Sequence, residues 1–231
     1  MGERDLTHQL PEEFSQPDYT GDTIANVPAT AAALMDVPFA GLPPLAADKW
    51  QPLAGRVKRV ILFVIDAWGW NLLHKDREAL GGWVERADIV GQITSIFPST
   101  TVAALSSLWT GYGPAQHGLV GLELFMPDYG TITQFLKFTP AFGSYPDALV
   151  DAGLKPEAFL DVPGFAKQLA QSGVETHAFK GREIIDSALS KMHGRGVTGN
   201  YGAVTVTDMC IQMRQVLEEK AGRPLFMSGY W

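Results

Sequence analysis

The chain has 231 residues, 18 Lys+Arg against 25 Asp+Glu, a net charge of −7, 46% hydrophobic residues and a single cysteine, Cys210. This composition excludes wholesale disorder, which goes with few apolar residues and dense charge, and an internal disulfide. It also argues against non-specific nucleic-acid binding, which needs a basic field. No run reaches 18 apolar residues, so no transmembrane helix is expected. The start, Met1-Gly2-Glu3-Arg4-Asp5-Leu6, lacks an apolar signal core, and Leu6 stands where a myristoylation motif wants Ser or Thr. The expectation is a cytoplasmic globular protein with no membrane partner.

Residues 1–50 are interrupted by Pro11, Pro17, Pro28, Pro38, Pro43 and Pro44, which limits helices to short pieces such as Ala29–Met35. They read as an arm laid over a later core, residues 51–231. Val57–Ile65 is a β-branched run without alternation, the pattern of a parallel strand buried on both faces, and it ends in Asp66. Trp68–Val84 fits a crossover helix, and Asp88–Ile96 is the next candidate strand. After Pro98, Thr101–Thr110 reads as a compact helix stopped by Gly111. Pro163–Ser172 predicts a helix, Val174–Phe179 a strand, and Thr205–Ala221 a helix with Met209, Met213, Val216 and Leu217 on one stripe. Leu225–Trp231 is a final strand-like run. Strands alternating with helices predict an α/β fold with a largely parallel sheet and helices on both faces.

Ligands of open parallel sheets bind beyond the carboxyl ends of the strands. Asp66 sits at such an end, where a carboxylate either holds a hard or borderline cation or caps the helix that follows. Ser99, Thr100 and Thr101 open a helix. One of them must serve as its cap, while a hydroxyl at the positive end of a helix suits a phosphate or, beside a metal, a nucleophile. His117 lies between glycines in Thr110-Gly-Tyr-Gly-Pro-Ala-Gln-His-Gly118, a context that favours holding a loop over catalysis. His177 reads as a core or edge histidine, and His74 and His193 as surface ones. Trp68, Trp70, Trp83 and Trp109 read as packing. No nucleophile elbow, phosphate loop, dinucleotide fingerprint or zinc spacing is present.

Taken together, Val60-Ile-Leu-Phe-Val-Ile-Asp66, Ile96-Phe-Pro-Ser-Thr-Thr101 and Trp109-Thr-Gly-Tyr-Gly-Pro-Ala-Gln-His-Gly-Leu-Val120 resemble the alkaline phosphatase superfamily, in its type I phosphodiesterase/nucleotide pyrophosphatase branch. The resemblance implies a hydrolase of phosphoesters or phosphoanhydrides with two divalent cations, usually zinc, and a small-molecule phosphoester as substrate. Asp66 then corresponds to a metal ligand. Thr101 corresponds to the nucleophile, which also binds that metal and becomes phosphorylated; His117 matches a mainly structural histidine. Ala67 replaces the Gly after the ligand Asp, and Leu122 stands where nucleotide pyrophosphatases place an Asn. The family's remaining ligands follow a strand that resembles Pro224–Trp231, and none is found here. The chain therefore reads as the N-terminal portion of an alkaline-phosphatase-like domain, with an incomplete ligand set and no activity of its own. Other activities of the superfamily (phosphomonoesterase, phosphonate hydrolase, phosphomutase) and a non-catalytic module of the same fold stay open, whereas a sulfatase would need Cys or Ser at Thr101.

Overall fold

The computed structural model describes residues 14–75, 82–143 and 145–231. In chain order, helix α1 (Val27–Leu34) precedes strand β1 (Arg59–Val64), helix α2 (Trp70–Lys75), helix α3 (Thr101–Thr110) and helix α4 (Pro114–His117). Strands β2 (Glu123–Met126), β3 (Thr131–Gln134) and β4 (Thr139–Pro140) follow, then helices α5 (Ala148–Asp151) and α6 (Phe165–Gln171). The chain continues through β5 (Glu175–Gly181), α7 (Ala188–His193), β6 (Gly199–Ala203), α8 (Val206–Glu219) and β7 (Leu225–Tyr230).

The principal sheet has the order β1-β7-β5-β6, and every pairing in it is parallel. Side chains alternate across its faces. Val60 and Leu62 of β1 and Phe226 of β7 pack on α1 and α6 through Ala31, Ala32, Phe165 and Leu169. On the same face, Trp109 of α3 packs on Ala166 and on Ala178 of β5. The opposite face carries Phe179, Leu225 and Met227, covered by Met209, Met213 and Val216 of α8. Helices thus cover both faces, as the alternating pattern predicts. Burying a Phe or Leu side chain in this way contributes roughly 1.5–3 kcal/mol, and Phe226, Leu169 and Leu225 are each no more than 1% exposed.

Three expectations need correction. Asp88–Ile96 adds no strand to the sheet: only Thr94 bridges, to Thr23 in the arm, with Ile24 N–H donating to Thr94 C=O at 3.0 Å. Gly91 and the polar Gln92 interrupt the apolar run, and Ile96 instead fills a small core with Ala25 and Ala103. β1 is not buried on both faces either, because it is the edge strand and Ile61 is 46% exposed. His193 is not a surface residue but 2% exposed. Of the predicted crossover helix, residues 70–75 and 82–84 are helical, and the span between lies outside the described residues.

Residues 119–162 add an element that the sequence reading leaves unassigned. β2, β3 and β4 form an antiparallel three-stranded sheet. Its core is Phe135, Phe138, Leu149, Leu154 and Leu160, packed against Val102 of α3 and Met192 of α7. No described helix is long and apolar enough to cross a membrane.

Candidate active site

Asp66 follows β1 by two residues, and the hydrogen bonds of the neighbouring strand continue past the end of β7 to hold it. Trp231 N–H donates to Val64 C=O at 3.0 Å, and Asp66 N–H donates to Trp231 C=O at 2.8 Å. The carboxylate is pinned at both oxygens. Oδ1 accepts the Ala67 N–H at 2.8 Å, and Oδ2 accepts the Tyr230 hydroxyl at 2.6 Å. Burial, followed by the Asp66 carboxylate, pushes the Tyr230 phenol well above its usual range, so it stays protonated and donates. Ala67 has φ +59°. That left-handed conformation suits glycine and explains why the resembling family places Gly there.

Thr100 has extended backbone (φ −91°, ψ 151°) and its Oγ1 accepts the Ala103 N–H at 3.4 Å. It is the cap of α3, which leaves Thr101 as the first helical residue with its hydroxyl uncommitted to capping. At the other end of α3, Gly111 ends the helix with φ +74°. Asp66, Thr101 and Tyr230 line one cavity of about 770 Å³, together with Ser99 and Thr100. The side chains of Trp68, Trp70 and Trp83 form part of its wall rather than a packed core, and Trp83 is 75% exposed. Trp109, by contrast, is buried. Leu122 is 40% exposed and does not line this cavity.

Behind the cavity, α3 is tied down by two histidines. His193 Nε2 lies 2.9 Å from Ser106 Oγ, and His117 Nε2 lies 3.0 Å from Ser107 Oγ. His117 Nδ1 accepts the Leu119 N–H at 3.2 Å, and burial lowers its pKa to about 4. Burial also drives His193 far below the usual imidazole range, with Lys180, His117 and Arg195 adding to the effect. Lys180, buried against the Trp109 ring, donates to Ser190 Oγ at 3.0 Å, and desolvation brings it down to about 8. His177 is buried in β5 beside Tyr201 and Glu175. His117, His193 and Lys180 support the fold around α3, His177 lies on the opposite, α8-covered face of the sheet, and none of them lines the cavity.

The donor set bears on the metal that the resemblance implies. Asp66 and Thr101 offer a carboxylate and a hydroxyl oxygen on one cavity, which suits part of a divalent-cation shell. Among the described residues, no group of three His, Cys, Asp or Glu side chains could hold a metal ion. Two donors fall short of the three protein ligands usual in a catalytic zinc site. Tyr230 is the site residue that the sequence reading overlooks, although its place at the end of a buried parallel run carries the same strand-end signal as Asp66.

No curated protein matches the chain. Among solved structures, murine ectonucleotide pyrophosphatase/phosphodiesterase 5 (ENPP5) is similar, with 19% identity, a TM-score of 0.53, and 74% of this chain and 42% of that chain covered. An inactive threonine-to-alanine variant of the same murine protein, in complex with AMP, matches with 18% identity, a TM-score of 0.53 and coverage of 76% and 43%. Phosphonoacetate hydrolase from Sinorhizobium meliloti 1021, in complex with phosphonoformate, matches with 16% identity, a TM-score of 0.50 and coverage of 74% and 45%. The chain thus spans less than half the length of these structures, and the likeness is one of fold. A match to the family described as type I phosphodiesterase/nucleotide pyrophosphatase covers residues 60–187, more than half of the chain, including Asp66 and Thr101. On that match, the chain belongs to the type I phosphodiesterase/nucleotide pyrophosphatase family.

Proposed function

We propose that this chain supplies the nucleophile and one carboxylate ligand of a metal-dependent phosphoester and phosphodiester hydrolase, nucleotide pyrophosphatase-like, that works through a phosphothreonine intermediate. The observation that carries this reading is the shared cavity: a carboxylate at the tip of β1 and an uncapping hydroxyl at the start of α3 line the same space. Thr101 Oγ1 attacks phosphorus in line. Its bond to phosphorus forms as the ester bond to the leaving alcohol breaks, and the hydroxyl proton ends on the departing oxygen. Water then cleaves the phosphothreonine and restores the hydroxyl. The unpaired N–H groups at the start of α3 suit the non-bridging oxygens. A divalent cation, zinc in the family resembled, would lower the hydroxyl pKa and offset the charge developing on oxygen. In a solved structure of similar fold, loss of a threonine accompanies inactivity, which supports a threonine in this role.

Residues 51–231 are proposed as an incomplete hydrolase core, with residues 1–50 as an arm packed upon it. Because Asp66 and Thr101 are two donors, the 231-residue chain alone is expected to hydrolyse no measurable bis(p-nitrophenyl) phosphate and to purify without stoichiometric zinc. One equivalent of zinc by elemental analysis would overturn the ligand assignment. In an active form of the enzyme, Thr101→Ala abolishes turnover with folding intact, and retained turnover would refute the nucleophile. A second reading, a non-catalytic module of the same fold, is favoured by the lack of a three-residue ligand cluster among the described residues.

A further inference from the structure

Two unpaired strand edges line one cavity. β1 is the edge strand of the parallel sheet. Val64 C=O accepts the Trp231 N–H and the Asp66 N–H donates to Trp231 C=O, so the even-numbered residues of β1 turn their peptide groups toward β7. By the alternation of a strand, those of Ile61, Phe63 and Ile65 point the other way, and none has a backbone partner among the described residues. Val60–Ile65 carries no charge, proline or bulge of the kind that protects such an edge. On the other wall, the Thr94 N–H donates to Asp22 C=O at 2.8 Å and Thr94 C=O accepts the Ile24 N–H at 3.0 Å. Ile93 and Ser95 therefore turn their peptide groups away from the arm. Both line the cavity with Phe63 and Ile65, and neither has a backbone partner among the described residues. Theirs is the run that the sequence marks as a strand and the sheet leaves out.

We propose that this cavity is a slot for one extended segment of another polypeptide, which pairs with β1 on one side and with residues 93–95 on the other. The size agrees. A strand residue occupies roughly 160 Å³, from about 4.8 Å between strands, 10 Å between layers and 3.3 Å along the chain. The cavity of about 770 Å³ then takes about five such residues, close to the six of β1. A second copy of this chain does not fit, because its β1 brings β7 behind it while Ile93 and Ser95 close the far side. The walls set the chemistry of the segment. Leu105, Leu108, Trp68 and Trp70 favour apolar side chains at alternate positions. Asp66 is the one charged side chain among the described residues that line the slot, and the chain carries −7, so a basic flank is favoured. This inference needs neither a cation nor Thr101 as nucleophile.

The probe is a peptide of alternating valine and threonine over five positions, flanked by two lysines at each end and blocked at both termini. It is added to the 231-residue chain and followed by amide hydrogen exchange. In the free chain, exchange is fast at Ile61, Phe63 and Ile65 and slow at Leu62 and Val64, whose N–H groups face β7. At ten times its dissociation constant, the peptide slows Ile61, Phe63, Ile65 and Ile93 about tenfold. The same peptide with proline at its central position protects none of them. Ile61→Pro removes an outward N–H without taking a bond from β7 and weakens the peptide by up to about tenfold. Its thermal midpoint reports whether the fold survives, and the proline peptide carries the test if it does not. Peptide binding without protection of Ile61, Phe63 and Ile65 would overturn the proposal, as would equal binding of the proline peptide or no binding at millimolar peptide. A dimer in sedimentation with these amides already protected would assign the edge to a second copy and overturn it as well.

Discussion

Ser107 Oγ lies 3.0 Å from His117 Nε2, so the helix that begins at Thr101 is bonded to the turn that immediately follows it. The Leu119 N–H donates to the other ring nitrogen, which makes Nδ1 the acceptor and leaves Nε2 to carry the proton toward Ser107. Protonating Nδ1 would set two N–H groups against each other in a buried place.

A pH dependence follows from that arrangement. Burial lowers the folded-state pKa of His117 to about 4 from 6.5. The unfolded chain therefore binds the proton first as pH falls, and stability is present above pH 6.5 and drains away toward pH 4. At about 1.4 kcal/mol per pKa unit, the loss by pH 5 is on the order of 1–2 kcal/mol. Urea unfolding of the native chain at pH 7, 6 and 5 is expected to show it, and His117→Gln should reduce the slope, leaving the part that buried His193 contributes in the same direction. An equal slope in both proteins would show that His117 does not control it.

Thr100 and Thr101 are expected to separate cleanly by stability. Thr100→Ala removes the cap of α3 and should cost about 1 kcal/mol, whereas Thr100→Asp should retain most of it. Thr101→Ala replaces a half-buried first-turn residue with a good helix former and should change stability by less than about 0.5 kcal/mol. Chemical denaturation of the three variants checks the assignment, and the reverse ranking would make Thr101 the cap.

Ala67→Gly should stabilise the chain. Left-handed backbone costs a residue with a Cβ about 1–2 kcal/mol, and Ala67 sits at φ +59°. Glycine's extra unfolded-state freedom returns roughly 0.5–1 kcal/mol. The net gain expected is up to about 1 kcal/mol, visible as a rise in the thermal midpoint.

Lys180→Met tests a buried cation that makes no salt bridge among the described residues. Desolvation lowers the Lys180 pKa from 10.5 to about 8. The charged form is thus disfavoured by folding, and the deficit is fully present below pH 8 and relieved as pH rises toward 10.5. An unbranched neutral side chain removes that deficit but forfeits the bond to Ser190 and the contact with Trp109. A stability gain of about 1 kcal/mol at pH 7, shrinking as pH approaches 10, is the expected balance. Destabilisation at pH 7 would mean that the contacts with Ser190 and Trp109 outweigh desolvation.

The elements that the sequence reading places correctly are those with local causes. Val60 to Val64 form a strand because successive branched and aromatic side chains suit a pleated surface. The helix from Thr101 to Thr110 is bounded by a hydroxyl cap and a left-handed glycine, both visible within a dozen residues. The stripe of Met209, Met213 and Val216 announces the buried face of α8 in the same way. His193 was illegible for the opposite reason. Its neighbours Gly194 and Arg195 look like a surface turn, and only the approach of Ser106 from α3 gives its Nε2 a partner in the buried interior.

By itself, the amino-acid order determined the strand that leads to Asp66, the helix that starts at Thr101 and the alternation that makes the fold α/β, since each depends on steric preferences and periodicity over a few residues. Tertiary structure decided that β7 lies beside β1, that Tyr230 therefore meets Asp66, and that Thr94 pairs with the arm instead of joining the sheet. Those outcomes depend on which distant surfaces bury each other best, a competition in which no short stretch of sequence contains both partners.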